Sequence, residues 1–384
     1  MSYYQRLGVK PVINAWGTMS FLGGSILPPD VAEVWLEASR SFVPLDELQA
    51  QVSATIARLT GAEAGLITAG ADAGLTLATC ACIAGDDPAK FQQLPDTTGL
   101  KGEVIIPQIC TNIHNFAFRV AGARLIFVGT PEGFTEEDVE AAVTERTAAV
   151  AFVFFTNTRC GEEALKVALR AAHRRGLPVI VDAAAETPPR ENIRRLVELG
   201  ADVVAYSGGK DIHGPNDTGI LYGRRDLIEA ARLQMRTLPP FGLGRSMKVG
   251  REDMAATTYA LERYMNLDMA AYRAAWERRA HSFLQEFGQI PGVEVQLFYP
   301  DENRGEYLAQ CYPVVHLTLD EARLGVTAEA VAKELAEGNP RIMVPAGGQR
   351  ISVNPHCLAD GEEKIVARKL QEALARGSRI GGNP

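Results

Sequence analysis

Short apolar runs rich in β-branched residues alternate with amphipathic stretches between residues 50 and 225 of this 384-residue chain. This alternation is typical of a mostly parallel β-sheet covered by helices, because buried parallel strands lack polar alternation and need long crossover connections. The spacing predicts strands over Ala64–Thr68, Val104–Pro107, Leu125–Val128, Ala149–Phe155, Val179–Asp182, Val203–Ser207 and Ile220–Tyr222. The sequence therefore predicts an α/β fold with a central, mostly parallel sheet.

The pattern changes near residue 250, where one long helical stretch runs from Glu252 to about Phe287. Beyond it, mixed strand and helix patterns predict a small α+β domain. A single hydrophobic core stops growing at roughly 250–300 residues, which also favours two domains. We therefore predict an N-terminal segment over residues 1–49, a large domain over 50–255 and a small C-terminal domain over 256–384.

The composition excludes several classes of partner. The chain carries 47 Asp and Glu against 39 Lys and Arg, a formal net charge of −8, whereas nucleic-acid binding needs a basic surface. No apolar run approaches the roughly 20 residues that span a bilayer, and the start lacks a secretory signal pattern. We therefore expect no nucleic-acid or membrane partner and a cytoplasmic location. The six cysteines show no CxxC spacing in a chain too large to need cross-links, which predicts free thiols.

Two ionisable residues follow neighbouring predicted strands. Asp182 closes the strand Val179–Asp182, and Lys210 follows the strand Val203–Ser207 after two glycines. Open α/β sheets bind ligands at the carboxyl ends of their strands, so we expect both side chains to face one cleft. The pair suits pyridoxal 5'-phosphate, whose aldehyde reacts with a lysine amine and whose pyridine nitrogen needs a carboxylate to stay protonated. The alternative is that Asp182 caps a helix and Lys210 is a solvated loop residue.

A turn of small residues, Gly70-Ala71-Asp72, follows the first predicted strand and precedes a predicted helix. Backbone N–H groups at a helix N-terminus bind anions, so this turn is a candidate for holding the cofactor phosphate. The hydroxyl of Ser207 is a candidate for the same phosphate. Alternatively, Asp72 only caps the helix and Ser207 is an ordinary hydroxyl at a strand end.

Several short motifs occur in an order that resembles a known enzyme family between about Leu7 and Ala375. They are Asn14-Ala15-Trp16-Gly17-Thr18, Leu59-Thr60-Gly61-Ala62-Glu63-Ala64, Thr68-Ala69-Gly70-Ala71, Val181-Asp182-Ala183-Ala184-Ala185-Glu186, Gly200-Ala201-Asp202, Ser207-Gly208-Gly209-Lys210, Gly214-Pro215 and Gly244-Arg245-Ser246-Met247-Lys248-Val249-Gly250. The ordered set resembles the fold-type I pyridoxal phosphate enzymes of the selenocysteine synthase-like family. The likeness is greatest to the branch that contains D-glucosaminate-6-phosphate ammonia-lyase.

This resemblance implies the fold, the cofactor and a set of site residues. The implied fold is a large domain with a mostly parallel sheet plus a smaller α+β C-terminal domain. Lys210 would attach the cofactor covalently, Asp182 would contact the pyridine nitrogen, and Gly70, Ala71 and Ser207 would lie near the phosphate. Such enzymes form sites at subunit interfaces, so the resemblance also implies a homodimer or a higher homo-oligomer.

The sequence departs from the family pattern in two places. His213 and Asn216 stand where the family more usually has Arg and Gln, in a segment implied to contact the phosphate. After the strand Val104–Pro107, relatives often place a ring-stacking His where this sequence has Cys110. We therefore take Cys110 and His114 as alternative candidates for contact with the cofactor ring, although each could be an ordinary packed side chain.

An amino-acid substrate presents a carboxylate, which a guanidinium group binds well through two hydrogen bonds. Arg245 and Arg350 are the candidates, although a single Arg is solvated by default.

His356 and Cys357 are residue types that can bind metal ions. We reject a metal site there because adjacent strand residues point to opposite faces and no further ligand lies at suitable spacing.

These residues predict a pyridoxal phosphate-dependent lyase that acts on an amino acid or amino-sugar acid by α,β-elimination and releases ammonia. A racemase, an aldolase and an aminotransferase remain open, because their reactions need the same first contacts. The acidic charge and the lack of an obvious RNA-binding domain disfavour selenium transfer on aminoacyl-tRNA, and the lack of GxGxxG disfavours a nicotinamide dehydrogenase. A catalytically silent binding homologue is the alternative from another class.

Overall fold

The structure of the protein is a computed structural model, which describes residues 2–154, 160–299 and 313–380. The chain divides into two compact units. The large unit contains residues 27–267, and the small unit combines residues 2–26 with residues 268–299 and 313–380. The domain boundaries predicted between residues 49 and 50 and between residues 255 and 256 are not tested by this division and stay predictions.

Strands and helices alternate through most of the described chain. The strands are β1 Val12–Asn14, β2 Ala64–Thr68, β3 Glu103–Pro107, β4 Arg124–Val128, β5 Thr147–Val153, β6 Val179–Asp182, β7 Val203–Ser207, β8 Gly219–Gly223, β9 Val293–Phe298, β10 Val314–Leu319, β11 Arg341–Met343, β12 Ala346–Gly347 and β13 Arg350–Val353. The α-helices are α1 Tyr3–Arg6, α2 Pro29–Ser39, α3 Leu45–Thr60, α4 Ala71–Ala84, α5 Pro88–Gln93, α6 Phe116–Val120, α7 Glu136–Ala141, α8 Glu162–Arg174, α9 Asn192–Glu198, α10 Arg225–Gln234, α11 Arg251–Asn266, α12 Met269–Phe287, α13 Glu321–Leu324, α14 Ala328–Glu337 and α15 Glu362–Ile380. Short 3-10 turns occupy Ser20–Leu22, Gln108–Cys110, Ile113–Asn115, Leu243–Met247 and Pro355–Cys357.

The large unit is built on a seven-stranded sheet in the order β2-β8-β7-β6-β5-β3-β4. The five strands from β7 to β4 are mutually parallel, whereas β8 runs antiparallel to both of its neighbours. The predicted α/β fold class is confirmed, and β2, β6 and β7 begin and end at the predicted residues. The strand predicted over Ala149–Phe155 is β5, and Phe155 lies outside the described residues.

Both faces of this sheet are buried, which explains why its strands read as continuous apolar runs. Neighbouring residues of one strand enter different hydrophobic clusters: Val203 belongs to one cluster and Val204 to the other. Successive strand side chains point to opposite faces, so each cluster covers one face of the sheet. Burying one such aliphatic side chain stabilises the fold by about 1.5–3 kcal/mol, so the doubly covered sheet forms a strong core.

The prediction of one long helix from Glu252 to Phe287 is wrong. The structure has two helices, α11 and α12, separated by Leu267 and Asp268. The backbone of Leu267 is extended, and the side chain of Asp268 accepts hydrogen bonds from the N–H groups of Ala270 and Ala271. An aspartate that caps the N-terminus in this way begins a new helix, which a periodicity argument alone overlooks.

The small unit has a four-stranded sheet in the order β12-β13-β10-β9, whose neighbours are all antiparallel. A second pair, β1 and β11, is parallel and joins residues 12–14 to residues 341–343. Phe283 and Phe287 of α12 are fully buried in the core of this unit. The first residues of the chain therefore belong to the small unit.

Candidate active site

Asp182 and Lys210 follow adjacent parallel strands of the large sheet. Asp182 is the last residue of β6, and its backbone is in register with Ala205 of β7, two residues before that strand ends. Lys210 comes three residues after β7, so the carboxyl ends of both strands bring these residues to one edge of the sheet. Asp182 is 5% exposed, and its Oδ1 accepts a hydrogen bond from the N–H of Ala184 at 3.1 Å. The helix after β6 begins only at Asn192, so Asp182 does not cap it.

The electrostatics of Asp182 show which charged groups surround it. Burial raises the pKa of this carboxyl above its ordinary value, because water no longer solvates the charge. The Ala184 N–H and the positive charges of Lys210 and His114 oppose that rise in the pKa, while the charge of Asp72 adds to it. Lys210, His114 and Asp72 therefore lie close enough for their charges to act on the Asp182 carboxyl. Within the described part of the chain, Lys210 forms no ion pair.

The turn between Ser207 and Lys210 has no room for larger residues. A Cβ on Gly208 would lie 2.3 Å from Oγ1 of Thr218, and a Cβ on Gly209 would lie 2.4 Å from Cα of Asn216. The absence of side chains lets the turn pack against residues 214–218, to which Gly208 is tied by two backbone hydrogen bonds of 2.8 Å. The paired glycines therefore fix the position from which Lys210 projects.

Helix α4 begins at Ala71 without a side-chain cap. Its N-cap residue is Gly70, with a φ of 87°, and Oγ1 of Thr68 donates a hydrogen bond to the carbonyl of Gly70 at 2.8 Å. The first N–H groups of a helix lack partners within it, so those of Ala71 and Asp72 are available to an anion, and the phosphate contact predicted for them stays a prediction. The structure does not have the alternative in which Asp72 only caps the helix: the N-cap residue is Gly70, and the Asp72 carboxylate contacts Nδ1 of His114 at 3.0 and 3.1 Å.

The prediction of free thiols is wrong for Cys110 and Cys160, which are joined by a disulfide with a Cα–Cα distance of 5.8 Å. Cys110 follows β3 and Cys160 follows β5, and these strands are neighbours. Cysteine spacing in the sequence could not reveal this pair, which depends on the strand order. Cys80, Cys82 and Cys357 are free, and Cys311 lies outside the described residues.

The two arginine candidates lie in different units. Arg245 is half-buried in the 3-10 turn Leu243–Met247 of the large unit, with its guanidinium carbon 5.8 Å from the centre of the Phe241 ring. Arg350 begins β13 in the small unit and is exposed. Ser207 is half-buried at the end of β7.

Two further properties concern ligands and membranes. The described residues contain no group of three or more His, Cys, Asp or Glu side chains arranged to hold a metal ion. None of the helices in the described ranges combines the length and the apolar character that crossing a membrane requires.

Comparison with known proteins gives consistent matches over nearly the whole chain. The family model described as Aminotransferase class-V matches residues 115–246. D-glucosaminate-6-phosphate ammonia lyase of Salmonella typhimurium is 31% identical over 385 residues, covering 96% of this chain and 97% of the relative. 5'-C-glycyluridine monooxygenase-decarboxylase of a Streptomyces species is 32% identical over 385 residues, covering 97% and 92%. L-seryl-tRNA(Sec) selenium transferase of Solidesulfovibrio magneticus is 26% identical over 407 residues, covering 95% and 82%.

A solved structure of D-glucosaminate-6-phosphate ammonia-lyase matches with a TM-score of 0.85 and 30% identity, covering 98% of this chain and 99% of that chain. Fold and site together are those of a fold-type I pyridoxal phosphate-dependent enzyme. The chain belongs to the family of D-glucosaminate-6-phosphate ammonia lyase within that class. The predicted family, fold and cofactor and the prediction of a pyridoxal phosphate-dependent lyase are confirmed.

The residues present fit pyridoxal 5'-phosphate. A buried carboxylate suits a protonated ring nitrogen, an amine that forms no ion pair with the described residues suits an aldehyde, and a helix N-terminus without a side-chain cap suits a phosphate. Sequence reasoning missed the pairing of Asp72 with His114, because the two residues are far apart in the chain. It also missed Gly219, whose Cβ would lie 2.4 Å from the carbonyl carbon of Gly70.

Proposed function

We propose that this enzyme catalyses α,β-elimination on an amino acid or amino-sugar acid, with release of ammonia. The observation that carries the proposal is the placement of Lys210 and buried Asp182 at adjacent strand ends, in a chain that aligns over 96% of its length with an ammonia lyase and matches the fold of one. The cofactor, when bound, supplies an electron sink for charge that develops at the substrate α-carbon.

In this proposal each side chain at the strand ends has a separate task. The amine of Lys210 would hold the cofactor and would remove the proton at the substrate α-carbon. Asp182 holds the protonated ring nitrogen. The N–H groups of Ala71 and Asp72 and the hydroxyl of Ser207 would bind the phosphate, with Gly70 beside it, because the N–H of Gly70 already donates to the carbonyl of Thr68 at 2.9 Å. The support is the uncapped start of α4 and the closeness of its first turn to β8.

Of the two candidates for contact with the ring, we propose His114. The sulfur of Cys110 is bonded to Cys160 and fully buried, whereas His114 presents a polar ring whose charge acts on Asp182. For the substrate carboxylate we propose Arg245 and Arg350, because a guanidinium group can donate two parallel hydrogen bonds to it.

We also propose that two or more copies assemble and that the enzyme works in the cytoplasm. Three large apolar side chains of the large unit support assembly, since Phe42 is 97% exposed, Ile113 85% and Leu238 71%. Covering such side chains with a second copy would stabilise the assembly, because it removes apolar surface from water.

The function is tested by screening the cofactor-loaded enzyme with D- and L-amino acids, including hydroxylated, phosphorylated and sugar-derived ones. We expect one group of substrates to give ammonia and keto acid in equal amounts, with and without oxygen. Optical rotation that changes without ammonia would contradict elimination in favour of racemisation.

The relative named a monooxygenase-decarboxylase supports a second candidate, oxidative decarboxylation. Carbon dioxide released only in the presence of oxygen would establish it.

Gly219→Ala tests the proposed phosphate site. The new Cβ would lie 2.4 Å from the carbonyl carbon of Gly70 and 2.7 Å from the nitrogen of Ala71, so the turn before α4 must move. Lost hydrogen bonds to a charged group weaken binding by about tenfold to a hundredfold, and we expect that loss in cofactor affinity. Fluorescence titration measures the Kd. Gly133→Ala is the matched control, because nothing lies within 4 Å of its added Cβ. Equal affinities of the two variants would contradict the assignment.

A further inference from the structure

We propose that Cys110 and Cys160 form a reversible redox modification site, and that their disulfide holds the segment carrying His114 in its position beside Asp72. The reagents of the site would be low-molecular-weight thiols and disulfides of the glutathione class. The thiol–disulfide exchange itself does not depend on which reaction the enzyme catalyses.

The site lies on the same sheet edge as the proposed active site. Cys110 ends the 3-10 turn that follows β3, Cys160 precedes α8, and β3 pairs with β5 in parallel. Beyond β5, the next strand in the sheet is β6, which ends at Asp182. The disulfide closes 50 residues of chain and links two connections that both leave the carboxyl edge.

The segment from Gln108 to Asn115 makes few hydrogen bonds to the rest of the described fold. Its hydrogen bonds are local, from Oγ1 of Thr111 to the Gln108 carbonyl and from the N–H groups of His114 and Asn115 to Asn112. The exception among the described residues is the contact between His114 and Asp72, whose side chains are half-exposed. An exposed ion pair contributes little to stability, so beside the core packing of Ile109 and Cys110 the disulfide is the main link from this segment to the rest of the described fold.

The position of the disulfide favours a reversible site over a permanent cross-link. A chain with a sheet buried on both faces does not need a disulfide cross-link to fold. Disulfides in reducing compartments are mostly transient or redox-sensing. Both sulfurs are buried, so exchange requires local opening of the segment. Short 3-10 turns with local hydrogen bonds open readily. The segment also borders a surface cavity of about 430 Å³ lined by Gln108, Thr111 and Asn112, which can admit a small thiol.

The exchange balances in two steps. A thiolate of the external thiol attacks one sulfur of the pair, the Cys110–Cys160 bond breaks, and the released thiolate takes up a proton. A second external thiol then attacks the mixed disulfide. In total, the protein disulfide gains two electrons and two protons and becomes two thiols, while two external thiols become one disulfide. An oxidised external disulfide drives the reverse reaction.

The test uses the full chain equilibrated at a series of ratios of reduced to oxidised glutathione. Alkylation followed by mass spectrometry measures the fraction of free thiol at each cysteine, and fluorescence titration measures the Kd of pyridoxal 5'-phosphate for the cofactor-free protein. We expect Cys110 and Cys160 to change together with the ratio, and reduction to weaken cofactor binding by about tenfold, a common size for coupling between sites. Cys80 should stay unlabelled at every ratio, because burial raises the pKa of its thiol to about 12.

Three variants identify the path of the effect. Cys160→Ser should bind the cofactor as the reduced protein does at every ratio, whereas the control Cys357→Ser should keep the redox response. In His114→Ala, the Kd should no longer depend on the ratio, because the disulfide would act through His114; a merely structural cross-link would still change it. Free thiols at both positions under all ratios would overturn the proposal, as would a disulfide that exchanges without changing the Kd. Neither result bears on the elimination reaction, which is measured separately by ammonia release.

Discussion

Replacing Lys210 by alanine is expected to abolish covalent attachment of the cofactor and to lower turnover by about 10³-fold or more, since a positioned general base alone contributes about 10²–10⁴-fold. Lys210 leaves a turn in which Gly208 and Gly209 exclude side chains, and the described residues offer its amine no ion pair. An amine held this way, next to the buried carboxyl of Asp182, is available for an aldehyde.

The measurement is borohydride reduction of the cofactor-loaded enzyme, digestion and mass spectrometry of the labelled peptide. The label should lie on Lys210 in the wild type and be absent from Lys210→Ala, with ammonia release measured in parallel. Lys101→Ala is the matched control, because Lys101 is exposed on the large unit and should keep both label and turnover. A label on another lysine, or full turnover by Lys210→Ala, would refute the assignment.

The fold of the large unit follows from local patterns. Runs such as Val203–Ser207 are apolar on both faces and end in Gly or polar residues, so strand bounds could be predicted within one or two residues. Which strand lies beside which is a different question, because the order depends on how crossover helices pack. The pairing of β1 with β11 and the disulfide between Cys110 and Cys160 both depend on such long-range order.

Those residues of the candidate site that lie at or just after strand ends could be predicted from the sequence. Asp182 and Lys210 could be found because parallel strands bring their carboxyl ends to one edge. The contact between Asp72 and His114 could not be predicted, since only the packed fold brings the start of α4 beside the 3-10 turn that carries His114. Gly219 lies in an ordinary strand, and only the nearness of the Gly70 backbone reveals its importance.

Asp182→Asn is expected to lower turnover and raise the stability of the cofactor-free protein. Loss of a positioned charge opposite developing charge reduces turnover by about 10²–10³-fold.

The free energy of unfolding is expected to rise in the variant, because burial raises the pKa of Asp182 above 3.8 in the folded protein. At a pH below 3.8 the folded and unfolded chains both carry the proton. As the pH rises toward the folded pKa, only the folded chain keeps it, so the free energy of unfolding of the wild type falls.

Asparagine does not titrate, so the variant lacks this fall, and its advantage in Tm over the wild type should grow as the pH is raised from 3.8 toward the folded pKa of Asp182. Thermal unfolding of both cofactor-free proteins across that range measures the difference. Asp46→Asn is the control, because the Asp46 side chain is 97% exposed and its ion pair with Arg232 at 3.7 Å contributes little to stability. A wild type that is more stable than Asp182→Asn at pH 7 would mean that the carboxylate already stabilises the empty fold. Asp182 would then be a structural ion partner of Lys210 and His114 rather than a charge kept for the ring nitrogen.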